Sequence, residues 1–190
     1  MNEVLVSSAS LKELISELYE KAGMEKEDAE YHAYGLVTAS LRGVDSHGVM
    51  RTSAYLSRIL NGAINVHPDI RIVEGSKSFV VMDADGASGY TAGKTGMRQA
   101  VCLAKEYGTG TVIVRNSHFG AAALYAQIAV DEGMVGISTT NVKPGMTAPG
   151  AAANVGGNNP FAIGIPTYND FPFMLDMALS VVAGGKLKMA

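Results

Sequence analysis

The chain has 190 residues, of which 47% are hydrophobic and 17% charged, and its formal net charge is −3. This is a globular composition, long enough to bury a core, and it argues against a disordered chain or a binder of nucleic-acid backbones. One cysteine, Cys102, cannot form an internal disulfide and lacks a CxxC partner. That usage fits a reducing cytoplasm. The N-terminal run does not read as a signal peptide, and no apolar stretch is of membrane-spanning length.

In chain order, "SSASLKELISELYEKAG" predicts an amphipathic helix, with Leu11, Leu14, Ile15, Leu18 and Ala22 at helical spacing. Ser10 and Glu13 have capping-box spacing, and Gly23 suits the stop. A second helix is predicted from Glu27 to Leu41. Gly43 and "DSHG" interrupt the pattern, and a third helix, Gly48 to Leu60, stops at Asn61-Gly62. After Pro68, "IRIVEG" and "SFVVMDADG" read as strands. "TAGKTGMRQAVCLAKEYG" reads as helical in its second half, and "TVIVRNS" as a buried strand. "AAALYAQIAVDEG" is a helix, and "MVGISTTN", "FAIGIP" and "FPFMLDMA" are strands. A Gly-rich loop runs from Val142 to Pro160, longer than a connector needs. The closing "SVVAGGKLKMA" reads as a helix just beginning, the mark of a C-terminally truncated portion or of a short tail. The pattern predicts an α/β protein with a helical region over 1–68 and a mixed-sheet region over 69–190.

The candidate chemistry is uneven. "SGYTAGKTG" follows a strand and carries Gly93-Lys94-Thr95, but a phosphate loop needs glycine where Ser88 stands. A helix start with Lys94 near solvent is the favoured reading. No G-x-G-x-x-G follows a strand, so the usual dinucleotide turn is absent. The four histidines, His32, His47, His67 and His118, form no HxH or HExxH pattern. Asp45 with His47 is too small a set for a metal, and no metal is expected. His32 reads as a packed or surface histidine and His67 as a loop residue.

His118 closes a strand just before a helix, where open α/β sheets gather ligands. With an unperturbed pKa of about 6.5, such an imidazole can exchange protons near neutral pH. Its competing reading is a cap for the helix that follows. In "GVDSHGVMR", Asp45 or Ser46 could cap the third helix, which leaves His47 and Arg51 unexplained. From a helix start near Ser46, His47 and Arg51 would share a face. A proton carrier beside a guanidinium suits a substrate with a reacting oxygen and a carboxylate.

Several blocks occur here in one order: "LRGVDSHGVMR", "NGAIN", "VRNSHFGAA", "GMVGISTTN", "GGNNPFAIGIP" and "FMLDMALSVVAGGK". In this the chain resembles, over nearly its whole length, the malate/L-lactate dehydrogenase-like family. That family also includes ureidoglycolate and sulfolactate dehydrogenases, diketogulonate reductase and piperideine-2-carboxylate reductases. The resemblance implies hydride transfer between NAD or NADP and a 2-hydroxy or 2-imino acid. It implies a non-Rossmann cofactor domain beside a helical substrate and dimer region, and a homodimer. It matches His118 and His47 to positions that both serve in proton transfer in different members, and does not choose between them; its strand-end position favours His118. Ser46 and Arg51 match substrate contacts, with Arg51 on the carboxylate. Asn141, Val142, Asn159, Pro160, Asp176, Met177 and Ala178 match cofactor contacts. Asn158 stands where the family has threonine, and Ala123-Leu124-Tyr125 where it often has "GYY". Family members continue beyond the end of this chain, so apolar faces covered in them are expected to be exposed here.

Overall fold

The computed structural model describes residues 4–181. Two units are compact by themselves. The first takes the chain through Gly75 together with Val80–Gly93 and Ile113–Gly120. The second takes Ser76–Phe79, Lys94–Val112 and the chain from Ala121 on.

The first unit is built on helices α1 (Ser8–Lys21), α2 (Lys26–Leu41) and α3 (Thr52–Leu60). Leu11, Ile15 and Leu18 lie on the helical stripe that the sequence predicts, and α1 packs against α2. Gly23, at φ +99°, reverses the chain between them, and Met24 N–H donates to the Tyr19 carbonyl (3.1 Å). The expected capping box does not form. The helix starts three residues early, Ser10 lies inside it, and Ser7 at the N-cap makes no side-chain bond. A left-handed Gly43 ends α2, with Val44 N–H returning to the Ala39 carbonyl (2.8 Å).

The third helix differs from expectation. In place of a helix from Gly48, Asp45–His47 and Val49–Arg51 form two single 3-10 turns, and α3 begins at Thr52. Gly48 breaks the run with extended backbone (φ −91°, ψ −155°). The cause is close packing on α2. A Cβ on Gly48 would overlap the Ser40 side chain, and the Ser40 hydroxyl accepts from Val49 N–H (3.1 Å). The helix stops at Leu60, as "NG" predicts, with Gly62 at φ +75°.

Strands β1 (Arg71–Ser76), β2 (Phe79–Asp83) and β3 (Thr111–Arg115) form one sheet in that order. Strand β3 alternates exposed and half-buried residues and is not the fully buried strand expected. Beyond the strand ends, Asp85 (φ +50°) and Asn116 (φ +60°) take left-handed backbone. Asp83 fixes the bend, its carboxylate accepting from Asp85 N–H (3.0 Å), the Asn116 amide (3.2 Å) and Arg115 Nε (3.2 Å).

Helix α4 (Gly89–Tyr107) is helical throughout, not only in its second half. Lys94, expected near solvent, is 5% exposed, whereas Cys102 on the same helix is exposed.

In the second unit α5 (Ala122–Asp131) packs on β4 (Gly136–Thr139) and β7 (Phe161–Ile165), and β8 (Phe173–Met177) completes the antiparallel order β4-β7-β8. Small residues set the spacing. Ala122, Ala123, Ala126 and Ala129 are buried, and a Cβ on Gly136 would overlap the Ala126 carbonyl. Ile137, Ile163 and Leu175 are in register and alternate with residues of the helix-facing row. Along the same face Ile137 is 62% and Phe173 56% exposed. The long Gly-rich loop holds a short ribbon, β5 (Met146–Thr147) with β6 (Asn154–Gly156). The helix start predicted in the closing "SVVAGGKLKMA" lies outside the described residues, apart from Ser180 and Val181. Among the described residues no helix is long and apolar enough to cross a membrane.

Candidate active site

Two groups of predicted residues come together, each within its own unit. In the first, Asn116 turns the chain out of β3 and delivers His118 to the start of α4. Gly89 makes this approach possible, because a Cβ there would overlap the backbone carbonyls of His118 and Phe119. The Gly89 N–H lies 3.3 Å from both ring nitrogens of His118. An amide donor at a helix N-terminus disfavours a proton on that ring. His118 therefore does not cap the next helix; α5 starts at Ala122, with Ala121 at its N-cap.

The Tyr55 ring stacks on the His118 ring, centroids 5.0 Å apart and planes at 25°. The Arg51 guanidinium carbon lies 5.7 Å from the centroid of the same Tyr55 ring. Burial, followed by the positive charges of Arg58 and Arg51, pushes the His118 pKa down to about 4. The free imidazole is therefore neutral at pH 7, an acceptor rather than a donor of protons.

Ser46 and His47 occupy the first 3-10 turn, with Ser46 Oγ 3.0 Å from His47 Nδ1. Ser46 is buried and His47 half-buried. Because Gly48 breaks the helix, His47 and Arg51 do not follow one helical stripe as expected. Sequence reasoning missed Tyr55, Arg58 and Gly89. The spacing 51, 55, 58 was the available signal, since it is one face of a helix.

His32, read as a packed or surface histidine, is fully buried and packed. It stacks on Tyr19 (4.5 Å) and lies 5.0 Å from Tyr55 and 4.3 Å from Tyr90. Burial, with the charge of His118 adding, pushes its pKa down to about 3.

In the second unit, Asn141, Val142, Asn159, Pro160, Asp176, Met177 and Ala178 gather at one end of the β4-β7-β8 sheet. Asn159 Oδ1 accepts from Val142 N–H (3.0 Å), and the Pro160 carbonyl accepts from Thr139 Oγ1 (3.0 Å). Met177 is in register with Phe161 and Asp176 with Ala162, and Leu179 N–H donates to the Asn158 carbonyl (2.8 Å). Asn159 takes φ +27°, an unusual backbone for a side-chain-bearing residue. Among the described residues no group of three or more His, Cys, Asp or Glu converges as a metal would require.

Comparison with known proteins shows the family. The malate/L-lactate dehydrogenase family model matches residues 6–190. The chain belongs to the malate/L-lactate dehydrogenase family. Malate dehydrogenase of Pyrococcus horikoshii is 43% identical over 189 residues, 99% of this chain and 52% of that protein. Its solved structure superimposes with a TM-score of 0.93, covering 97% of this chain and 53% of that one. L-sulfolactate dehydrogenase of Methanocaldococcus jannaschii is 40% identical over 93% of this chain and 51% of its own length. The NAD(+)-dependent ureidoglycolate dehydrogenase of Escherichia coli K12 is 36% identical over 96% and 52%. The chain thus spans about half the length of the relatives it matches, and its fold is that of the N-terminal half of the family's structures.

Proposed function

We propose that this family member takes part in NAD(P)-dependent hydride transfer between a 2-hydroxy acid and its 2-oxo partner. The observation carrying the reading is that one buried ring, Tyr55, bears both a neutral imidazole and a guanidinium. His118 accepts the hydroxyl proton when the acid is oxidised and returns it in reduction. Arg51 pairs with the substrate carboxylate, and Arg58 adds to the field that attracts it. A carboxylate on Arg51 cancels part of the charge that depresses His118, so binding raises the imidazole pKa toward the range useful for proton transfer. Ser46 hydrogen-bonds substrate, and His47 is its neighbour and the rival proton carrier.

The sheet-end group fits a dinucleotide. Its neutral amides, Asn141 and Asn159, suit the carboxamide and ribose hydroxyls, and Asp176 suits a ribose hydroxyl; the positive φ of Asn159 supports this reading. When bound, the nicotinamide supplies or takes the hydride. Val142, Pro160, Met177 and Ala178 complete that contact set. In this reading residues 1–68, joined by His118, serve substrate and dimer contacts and the rest of 69–190 the cofactor, in a cytoplasmic homodimer acting on a small carboxylate.

The test is turnover of 2-oxo acids with NADH and NADPH, with cofactor binding followed by fluorescence. His118→Ala is expected to lower kcat by about 10²–10⁴-fold and leave cofactor affinity unchanged. If His47→Ala abolishes turnover while His118→Ala retains it, the two roles exchange. A second reading, a non-catalytic portion of such an enzyme, is favoured by the open apolar sheet face at Ile137 and Phe173. No NADH binding at millimolar concentration would select it.

A further inference from the structure

We propose that Tyr55 is a positioning residue, an aromatic plate that seats both the His118 imidazole and the Arg51 guanidinium and is braced by His32 and Tyr90. The proposal rests on the functional reading above for its kinetic part and on geometry for the rest. Imidazoles in active sites are commonly oriented by a carboxylate hydrogen bond. Among the described residues no carboxylate contacts His118. Its ring meets the Gly89 amide on one hand and the Tyr55 ring on the other. The amide is equidistant from both nitrogens and so does not select between them. The stack is what remains to fix the plane of the ring. The same Tyr55 ring lies within cation–π reach, about 6 Å, of Arg51.

Tyr55 is itself held. It is 5% exposed, with His32 5.0 Å away at 53° and Tyr90 edge-on at 5.9 Å and 86°. Behind these, Tyr19 stacks on His32 and donates its hydroxyl to the Thr52 carbonyl (3.3 Å). Neither ring nitrogen of His32 has a hydrogen-bond partner among the described residues, so His32 acts here through ring contact and shape. Every contact of Tyr55 described above is made by its ring. It is the ring that matters, and phenylalanine should replace it.

The experiment combines NMR of the isotopically labelled 190-residue chain with kinetics using NADH and pyruvate or oxaloacetate. In the wild type, the His118 ring protons should be displaced upfield and show nuclear Overhauser contacts to Tyr55. Tyr55→Phe should keep this signature and hold kcat/KM within about 3-fold. Tyr55→Leu should lose the signature and roughly 10²-fold in kcat/KM, with kcat falling through His118 and KM rising through Arg51. A merely structural role would lower the melting temperature without moving the His118 resonances or the kinetics of folded protein. That result overturns the proposal, as does a Tyr55→Phe variant as damaged as Tyr55→Leu. If Tyr55→Leu does not fold, the wild-type spectrum and Tyr55→Phe decide: absence of the His118–Tyr55 contacts in the wild type overturns it. If the contacts are present and ring-dependent but no 2-oxo acid is turned over, the functional reading falls and the seating stands.

Discussion

In the first unit the candidate groups are half-buried side chains seated on one buried ring; in the second they are exposed or half-buried residues placed by strand register. His118, Tyr55 and Arg51 come from a loop, a helix and a 3-10 turn, and their arrangement depends on close approaches that Gly48 and Gly89 permit. The group around Asn159 depends on the pairing of β4, β7 and β8, so its members need no unusual chemistry of their own. All four histidines belong to the first unit. The difference teaches that a site of stacked rings is sensitive to packing and to acid, whereas a site set by strand register is sensitive mainly to local hydrogen bonds.

Gly89→Ala is the sharpest way to break this contrast. The added methyl overlaps two backbone carbonyls, which cannot swing aside as a side-chain tip would, so His118 must move. Roughly 10²-fold loss of kcat/KM is expected from a displacement on the order of 1 Å, with NADH affinity kept. Equal losses in both would remove the distinction between the units.

Acid should act through the first unit. His32 and His118 both have pKa values lowered below the unfolded value of about 6.5. The unfolded chain then binds protons that the native chain refuses. Stability is level above this value and falls as pH drops from about 6.5 toward 4, by about 1.4 kcal/mol per pH unit for each histidine. Denaturant titrations across this window measure the slope. His32→Phe keeps the ring and removes two unpartnered nitrogens, so the slope should fall by about half with no loss of stability at pH 7.

Smaller effects belong to the second unit. Asn159→Ala strips Val142 N–H of its partner and should cost about 1 kcal/mol, read as a several-fold weaker NADH affinity with kcat retained. Lys105→Met removes the exposed pair with Glu132 (2.6 Å) and should leave the denaturant midpoint almost unchanged.

How legible each region was follows from the same contrast. Hydrophobic spacing located α1 and α2, because burial of one face imposes a period, and a short apolar run located β7. His47, Arg51 and His118 stood out because polar groups at turns and strand ends have few structural reasons to be there. The 3-10 turns did not show, since Gly48 reads as a helix start until its contact with Ser40 is seen. Tyr55 was missed because its role depends on which rings meet it in space. Asn159 and Asp176 became candidates only through family resemblance, because their proximity is a product of strand pairing distant in sequence.

Cys102 offers a practical consequence. It is the chain's one thiol and lies exposed on α4. Any disulfide it forms must join two molecules, so a band that disappears with reductant reports collisions between copies and says nothing of the fold. The same solitary thiol accepts a single dye in a known place on α4. One labelled preparation could then report unfolding by fluorescence without altering the histidines whose protonation is being measured.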